Sequence, residues 1–176
     1  MKFLTLTIAA ASIFLASCGG TDSTSNQATS ETTETQTEEL AVESPAVAAL
    51  AANNQISITG NDLMKYSDTL FKVKAGEVVT LKMSNVGKLP KSSMGHNFVL
   101  LKSNVDVANF ATEAMSAQDT DYIPASLVNS IIEHTKLLGP GESDEITFTI
   151  NNPGSHNFLC SFPGHYGVMK GRIIAE

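Results

Sequence analysis

Near the C-terminus, Cys160-Ser161-Phe162-Pro163-Gly164-His165-Tyr166-Gly167-Val168-Met169 sets a thiol, an imidazole and a thioether within ten residues. Far upstream, Met94-Gly95-His96-Asn97 offers a second imidazole. Four residues separate Cys160 from His165, and three separate His165 from Met169. Pro163-Gly164 imposes a turn between them, so one short loop can wrap three donors around a single ion. A thiolate with two imidazoles is a donor set for a soft or borderline transition metal.

Zinc accepts thiolate and imidazole, but a catalytic zinc site keeps a position for water and usually a carboxylate base nearby. Neither ligand stretch contains a carboxylate. Met169 discriminates, because a thioether serves zinc poorly and serves copper as a weak axial ligand. The set therefore points to a mononuclear type 1, or blue, copper site. A lone buried Cys acting as a small hydrophobe is the bland alternative. A Cys–His nucleophile pair is another, and it would need an imidazole within hydrogen-bond reach of the thiol and a mouth for substrate. The chain has four histidines, too few for a multicopper cluster. Of the remaining two, His134 is expected on an exposed polar loop and His156, at the start of its strand, as either a rim or a structural residue.

Such ligands need a rigid frame. Period-2 alternation of apolar and polar residues marks strands near 55–59, 69–73, 77–83, 97–101, 145–150, 156–160 and 170–174. In the third of these, Val79, Leu81 and Met83 share one face. Gly, Asn, Pro and Asp clusters separate the runs, which is the pattern of a mainly antiparallel β-sandwich. One stretch departs from it. Val107, Phe110, Ala111, Ala114 and Met115 recur at helical spacing, so a helix is expected around 105–115 with Asn104 as its N-cap.

The first third of the chain is different material. Lys2, an apolar run and small residues to Ser17 read as a secretion signal over 1–17. Leu15-Ala16-Ser17-Cys18 resembles the lipobox of bacterial lipoproteins, which implies cleavage before Cys18 and lipid on its sulfur. Residues 18–53 hold six acids, no Lys or Arg and no aromatic. That composition predicts a disordered acidic tether spanning about 30–35 Å on average, with a short helix possible in the Ala-rich piece 46–52. The chain carries −7, or −8 without Lys2; the tether supplies −6, leaving −2 on 54–176. Nothing here is basic enough for nucleic acid. With Cys18 acylated and Cys160 on a metal, no cysteine remains for a disulfide.

From about residue 54 the chain resembles the azurins, bacterial members of the cupredoxin family. The resemblance lies in Gly60-Asn61-Asp62 with Met64, Leu89-Pro90-Lys91, Met94-Gly95-His96-Asn97, His134-Thr135-Lys136-Leu137, Cys160-Ser161-Phe162-Pro163-Gly164-His165 and Met169-Lys170-Gly171. It implies an eight-stranded Greek-key β-sandwich with one inserted helix. His96, Cys160 and His165 would be the strong copper ligands, with Met169 and the Gly95 carbonyl as weak axial ones. Asn97 and the Phe162 N–H would hydrogen-bond near the thiolate. Three departures stand out. The family's disulfide positions are Asn54 and about Gly76 here, its Trp is Phe98, and a His often found before Leu-Pro-Lys is Asn85, which removes any pH switch tied to it.

The function implied is one-electron transfer rather than enzyme catalysis, with no small-molecule substrate. Partners would be redox proteins such as c-type cytochromes or a terminal reductase or oxidase. The edge of His165 would face them through an apolar collar of Met64, Leu89, Met94, Phe162, Pro163 and Gly164. The setting would be the bacterial cell envelope, with Gly19 after Cys18 leaning towards the periplasmic face of the outer membrane. A copper delivery or storage protein is the alternative.

Overall fold

A computed structural model describes residues 45–176. The expected signal, the lipidation site Cys18 and the tether up to residue 44 lie outside the described residues. No described helix is long and apolar enough to cross a membrane.

The chain enters through one helical turn, α1 (Pro45–Ala48), and then forms β1 (Gln55–Asn61), β2 (Lys65–Tyr66), β3 (Leu70–Val73) and β4 (Val78–Asn85). After the turn α2 (Lys91–Met94) come β5 (Val99–Leu101), the helix α3 (Val107–Ala114), and two 3-10 stretches at Gln118–Thr120 and Ala125–Ser130. The last strands are β6 (Ile131–His134), β7 (Ser143–Thr149), β8 (Gly154–Leu159) and β9 (Lys170–Ala175). They make two sheets, ordered β2-β1-β4-β7 and β3-β9-β8-β5-β6. The pairs β1/β4 and β3/β9 run parallel and the others antiparallel.

The alternation seen in the sequence works as a sandwich requires. Val79, Leu81 and Met83 of β4 are fully buried and share one core with Leu100 and Phe158 of the other sheet and with Phe98 just before β5. Nine described strands replace the eight expected. The two not read from the sequence, β2 and β6, are too short or too irregular for a period to register. β2 has two residues, and β5/β6 pairing shifts register at Leu100/Leu101.

The helix forms as expected but starts later. Asp106, not Asn104, is its N-cap, with a carboxylate oxygen accepting from Ala108 and Asn109 N–H at 2.9 and 3.0 Å. A carboxylate there satisfies two otherwise orphaned donors and the positive end of the helix. Asn104 instead adopts a left-handed φ of 62°. Phe110 and Ala111 form a second small cluster with Val99, Leu101 and Leu159, while Ala114 joins the main core. Met115 ends the helix and points outward, at 52% exposure.

His134 also differs from expectation. It closes β6, is half-buried and lies 3.0 Å through Nδ1 from the Thr135 carbonyl, rather than on an exposed loop. His156 is buried, in keeping with a structural role.

At the family's disulfide positions, a polar clasp stands in. The Asn54 side chain accepts from Lys74 N–H at 2.9 Å and donates to the Val78 carbonyl at 3.3 Å, bracketing Gly76. Asn54→Ala should cost about 1–2 kcal/mol through these lost bonds, read as a lower denaturant midpoint with an unchanged slope. An unshifted midpoint would show that the clasp contributes nothing.

Candidate metal centre

The loop from Cys160 to Met169 is closed by its own backbone. Cys160 N–H donates to the Met169 carbonyl at 2.9 Å, Met169 N–H to the His165 carbonyl at 2.8 Å, and His165 N–H to the Phe162 carbonyl at 3.1 Å. Gly164 sits at φ 82°, a conformation that a side chain would strain. Backbone hydrogen bonds within the loop thus hold its shape.

His96 comes from outside this loop. Its N–H and C=O pair with Leu138 at 3.1 and 2.7 Å, an isolated bridge that seats it before β5. Leu138 is held in turn by Asn85, whose amide donates to its carbonyl at 3.0 Å and whose oxygen accepts Gly87 N–H at 2.9 Å. Asn85 is thus a buried amide with both ends engaged. It carries no titrating proton in the place where the family often has a histidine.

Cys160 Sγ lies 3.6 Å from His165 Nδ1 and 4.0 Å from His96 Nδ1. The ligand atoms of these three residues all fall within 4.8 Å of one another, and all three residues are buried. Met169 is fully buried on the same wall. A Cβ added to Gly60 would sit 2.8 Å from Met169 Cε and 3.2 Å from the His96 ring, so the bare backbone of β1 makes room for both.

Electrostatics fit a cation here. Burial pushes the Cys160 thiol up to about 12, although the backbone N–H groups of Asn97 and Phe162 pull it down. Burial, with His96 close by, lowers His165 to about 4. His96 is lowered by burial too, against the Asn61 carbonyl and the charge of Asp62. Its Nε2 has no hydrogen bond of good geometry, so the Asn61 carbonyl is a loose partner. Thiol and imidazoles are neutral together near pH 7. A dication held by them displaces the thiol proton, as metal uptake at cysteine requires.

These shifts make apo stability depend on pH in two directions. His165 binds a proton more readily unfolded than folded, so stability is full above about pH 6.5 and is lost as pH falls towards about 4. Cys160 ionises more readily unfolded, so stability falls again from about pH 9 towards about 12. The melting temperature of the metal-free chain should form a plateau between these limits, and a flat profile from pH 4 to 6.5 would contradict the buried-histidine geometry.

Chain comparison agrees with the donor set. Copper binding proteins of the plastocyanin/azurin family match this chain over residues 52–176. The chain belongs to that family. Azurin of Pseudomonas chlororaphis is 37% identical over 130 residues, covering 71% of this chain and 100% of that one. Azurin of Alcaligenes faecalis is 39% identical over 123 residues, covering 67% and 94%. Among solved structures, dithionite-reduced auracyanin from the photosynthetic bacterium Roseiflexus castenholzii superposes with a TM-score of 0.65 at 36% identity, covering 72% of this chain and 99% of its own. The cupredoxin-like sandwich expected from the sequence is therefore the fold, and His96, Cys160, His165 and Met169 form a site suited to one copper ion. A blue copper site of this family is consistent with electron transfer.

The supporting residues divide differently. The Asn97 side chain does not itself turn to the sulfur. Its oxygen accepts Ser161 N–H at 2.9 Å and its amide donates to Ser161 Oγ at 2.8 Å, while its backbone N–H faces the thiol. In the collar, Leu89 and Gly164 are exposed, and Met64, Met94 and Pro163 are half-buried. Phe162 is corrected from collar to interior. It is 8% exposed, with its ring 5.1 Å from Tyr122 and 4.6 Å from His165. Its burial helps close the site, and His165 is only 1% exposed rather than presenting an open edge. Leu63, at 70% exposure, was missed. Its turn is tied to Leu89 by Asp62, whose carboxylate accepts Lys88 and Leu89 N–H at 2.8 and 3.3 Å. Leu63-Met64 as an apolar pair in a turn was the available signal.

Proposed function

We propose that this chain is a one-electron carrier of the bacterial cell envelope, exchanging electrons with redox proteins such as c-type cytochromes or a terminal reductase or oxidase. Bound copper supplies the Cu(II)/Cu(I) couple. The observation that carries the reading is burial without slack: His96, Cys160 and Met169 have no exposure and His165 has 1%. Backbone hydrogen bonds hold the ligands, so little rearranges between oxidation states. A delivery or storage protein must expose donors to hand the ion on, and a hydrolase must leave a coordination position open to substrate. The Gly95 carbonyl would be a further weak donor to the ion.

Docking is assigned to the apolar rim of Met64, Leu89, Met94, Pro163 and Gly164, with Leu63 added, since exposed apolar patches mark contact surfaces and redox encounters use small, quickly released ones. Residues 1–17 are assigned to export, Cys18 to lipid attachment and 18–53 to a tether, holding the copper domain 54–176 at a membrane and favouring the periplasmic face of the outer membrane.

Voltammetry tests the carrier. A reversible one-electron wave with copper retained in both states is expected, and loss of copper on reduction would favour delivery. Met94→Glu should slow electron exchange with a cytochrome partner by roughly tenfold, on the scale of a buried interface defect of about 1.4 kcal/mol, with the colour intact. Unchanged exchange would remove the rim from docking.

A further inference from the structure

Asn97 is where the two halves of the site meet. It follows the ligand His96, and its side chain grips Ser161, the neighbour of Cys160, through bonds of 2.9 and 2.8 Å. The same amide donates to the Asp121 carbonyl at 3.2 Å. Its backbone N–H is one of the two that pull the ionisation of the Cys160 thiol down. Its backbone carbonyl takes a 2.5 Å hydrogen bond from the hydroxyl of Tyr66, which stands on β2 at the edge of the other sheet. The next peptide N–H, of Phe98, donates to Thr135 Oγ1 at 3.0 Å.

Packing alone does not account for that hydroxyl. The Tyr66 ring fills its space edge-on to Phe158 at 5.5 Å and to Phe98 at 6.4 Å, and a phenylalanine ring would fill it equally. Tyr66 is 6% exposed, so its O–H must find a partner inside the protein. The partner it finds is the residue whose N–H faces the thiolate.

We propose that Tyr66 is a positioning residue for the copper site: its hydroxyl fixes the Asn97 backbone so that the Asn97 N–H stays on the Cys160 sulfur. A hydrogen bond to a thiolate stabilises negative charge on sulfur. Sulfur so stabilised donates less to Cu(II), and the reduced state gains. Without the hydroxyl, a buried carbonyl loses its donor and the segment reorients to seek another. The N–H then leaves the sulfur and the potential falls. The inference deepens the carrier reading and rests on copper occupying the site.

The test compares Tyr66→Phe, which keeps the ring, with Tyr66→Leu, which loses ring and hydroxyl, in the copper-loaded full chain. Tyr66→Phe is expected to be blue. At equilibrium with a reference couple its Cu(II):Cu(I) ratio should rise at least about threefold, as a weakened hydrogen bond implies. Its thiolate-to-copper absorption band should shift. In the reduced, diamagnetic protein the Asn97 amide proton should move upfield and exchange faster with deuterated water. Tyr66→Leu should show the same direction of change in potential. A Tyr66→Phe protein with the parent's potential, band and Asn97 amide overturns the proposal, as does a shift confined to Tyr66→Leu, which would assign the effect to packing. A parent chain that takes up copper without turning blue would instead overturn the copper reading, and this inference with it.

Discussion

Replacing Cys160 by serine is expected to leave a folded domain with no blue colour at all. The thiolate-to-Cu(II) charge transfer needs the sulfur, and neither imidazole replaces it. Copper affinity should fall by more than the ~10–100-fold that losing a supporting group costs. The fold should tolerate the change, because serine is smaller by little and the Asn97 and Phe162 N–H groups that face the sulfur can donate to its oxygen. One further consequence separates site from scaffold. The decline in apo stability above about pH 9 begins with the Cys160 thiol, whose ionisation burial pushes up to about 12, and is joined at higher pH by Tyr66, whose hydroxyl burial also holds well above its usual range. It should therefore shrink in Cys160→Ser, while the acid limb from His165 remains. Absorption spectra of the copper-loaded pair and melting curves across pH check both. A blue Cys160→Ser protein, or a colourless parent that prefers zinc, would refute the ligand assignment.

The largest effect on stability is expected from a single methyl group at Gly171. This residue lies in β9 opposite Phe158 of β8. A Cβ there would collide with the Thr69 carbonyl oxygen and with the Phe158 ring. Neither can yield cheaply. Thr69 O accepts the Arg172 N–H at 2.9 Å, and Phe158 is fully buried, stacked on Phe98 at 4.7 Å and packed on Tyr66 and Phe71. Overpacking of this kind costs about 2–3 kcal/mol, which corresponds to a melting temperature lower by roughly 10 °C for a domain of this size. Gly167→Ala is the control, since its Cβ would meet nothing within 4 Å. Equal melting of Gly171→Ala and the parent would show that the Thr69 backbone and the Phe158 ring can give way there at no cost.

Much of the fold was legible because alternation is a local signal. Val79, Leu81 and Met83 announce a strand with one buried face whatever lies opposite. β2 was illegible because two residues have no period, and Asp106 was passed over as a cap because Asn104, two positions earlier, suits the role equally by type. Asn54 was legible as a missing cysteine but not as the polar clasp that replaces it.

The metal centre divides along the same line. The order of residues alone determined the donors Cys160, His165 and Met169, because loop spacing is itself geometry: four and three intervening residues leave little freedom in how a closed turn presents its side chains. Residue types, with the family resemblance, also determined copper over zinc. Tertiary structure decided what separates residues far apart in the chain. It brought His96 to within 4.0 Å of a sulfur 64 residues away. It turned Phe162 inward over His165, so that the rim seals what was expected to lie open. It set the Tyr66 hydroxyl on Asn97 across 31 residues. No spacing encodes those contacts, because they follow from how two twisted sheets pack.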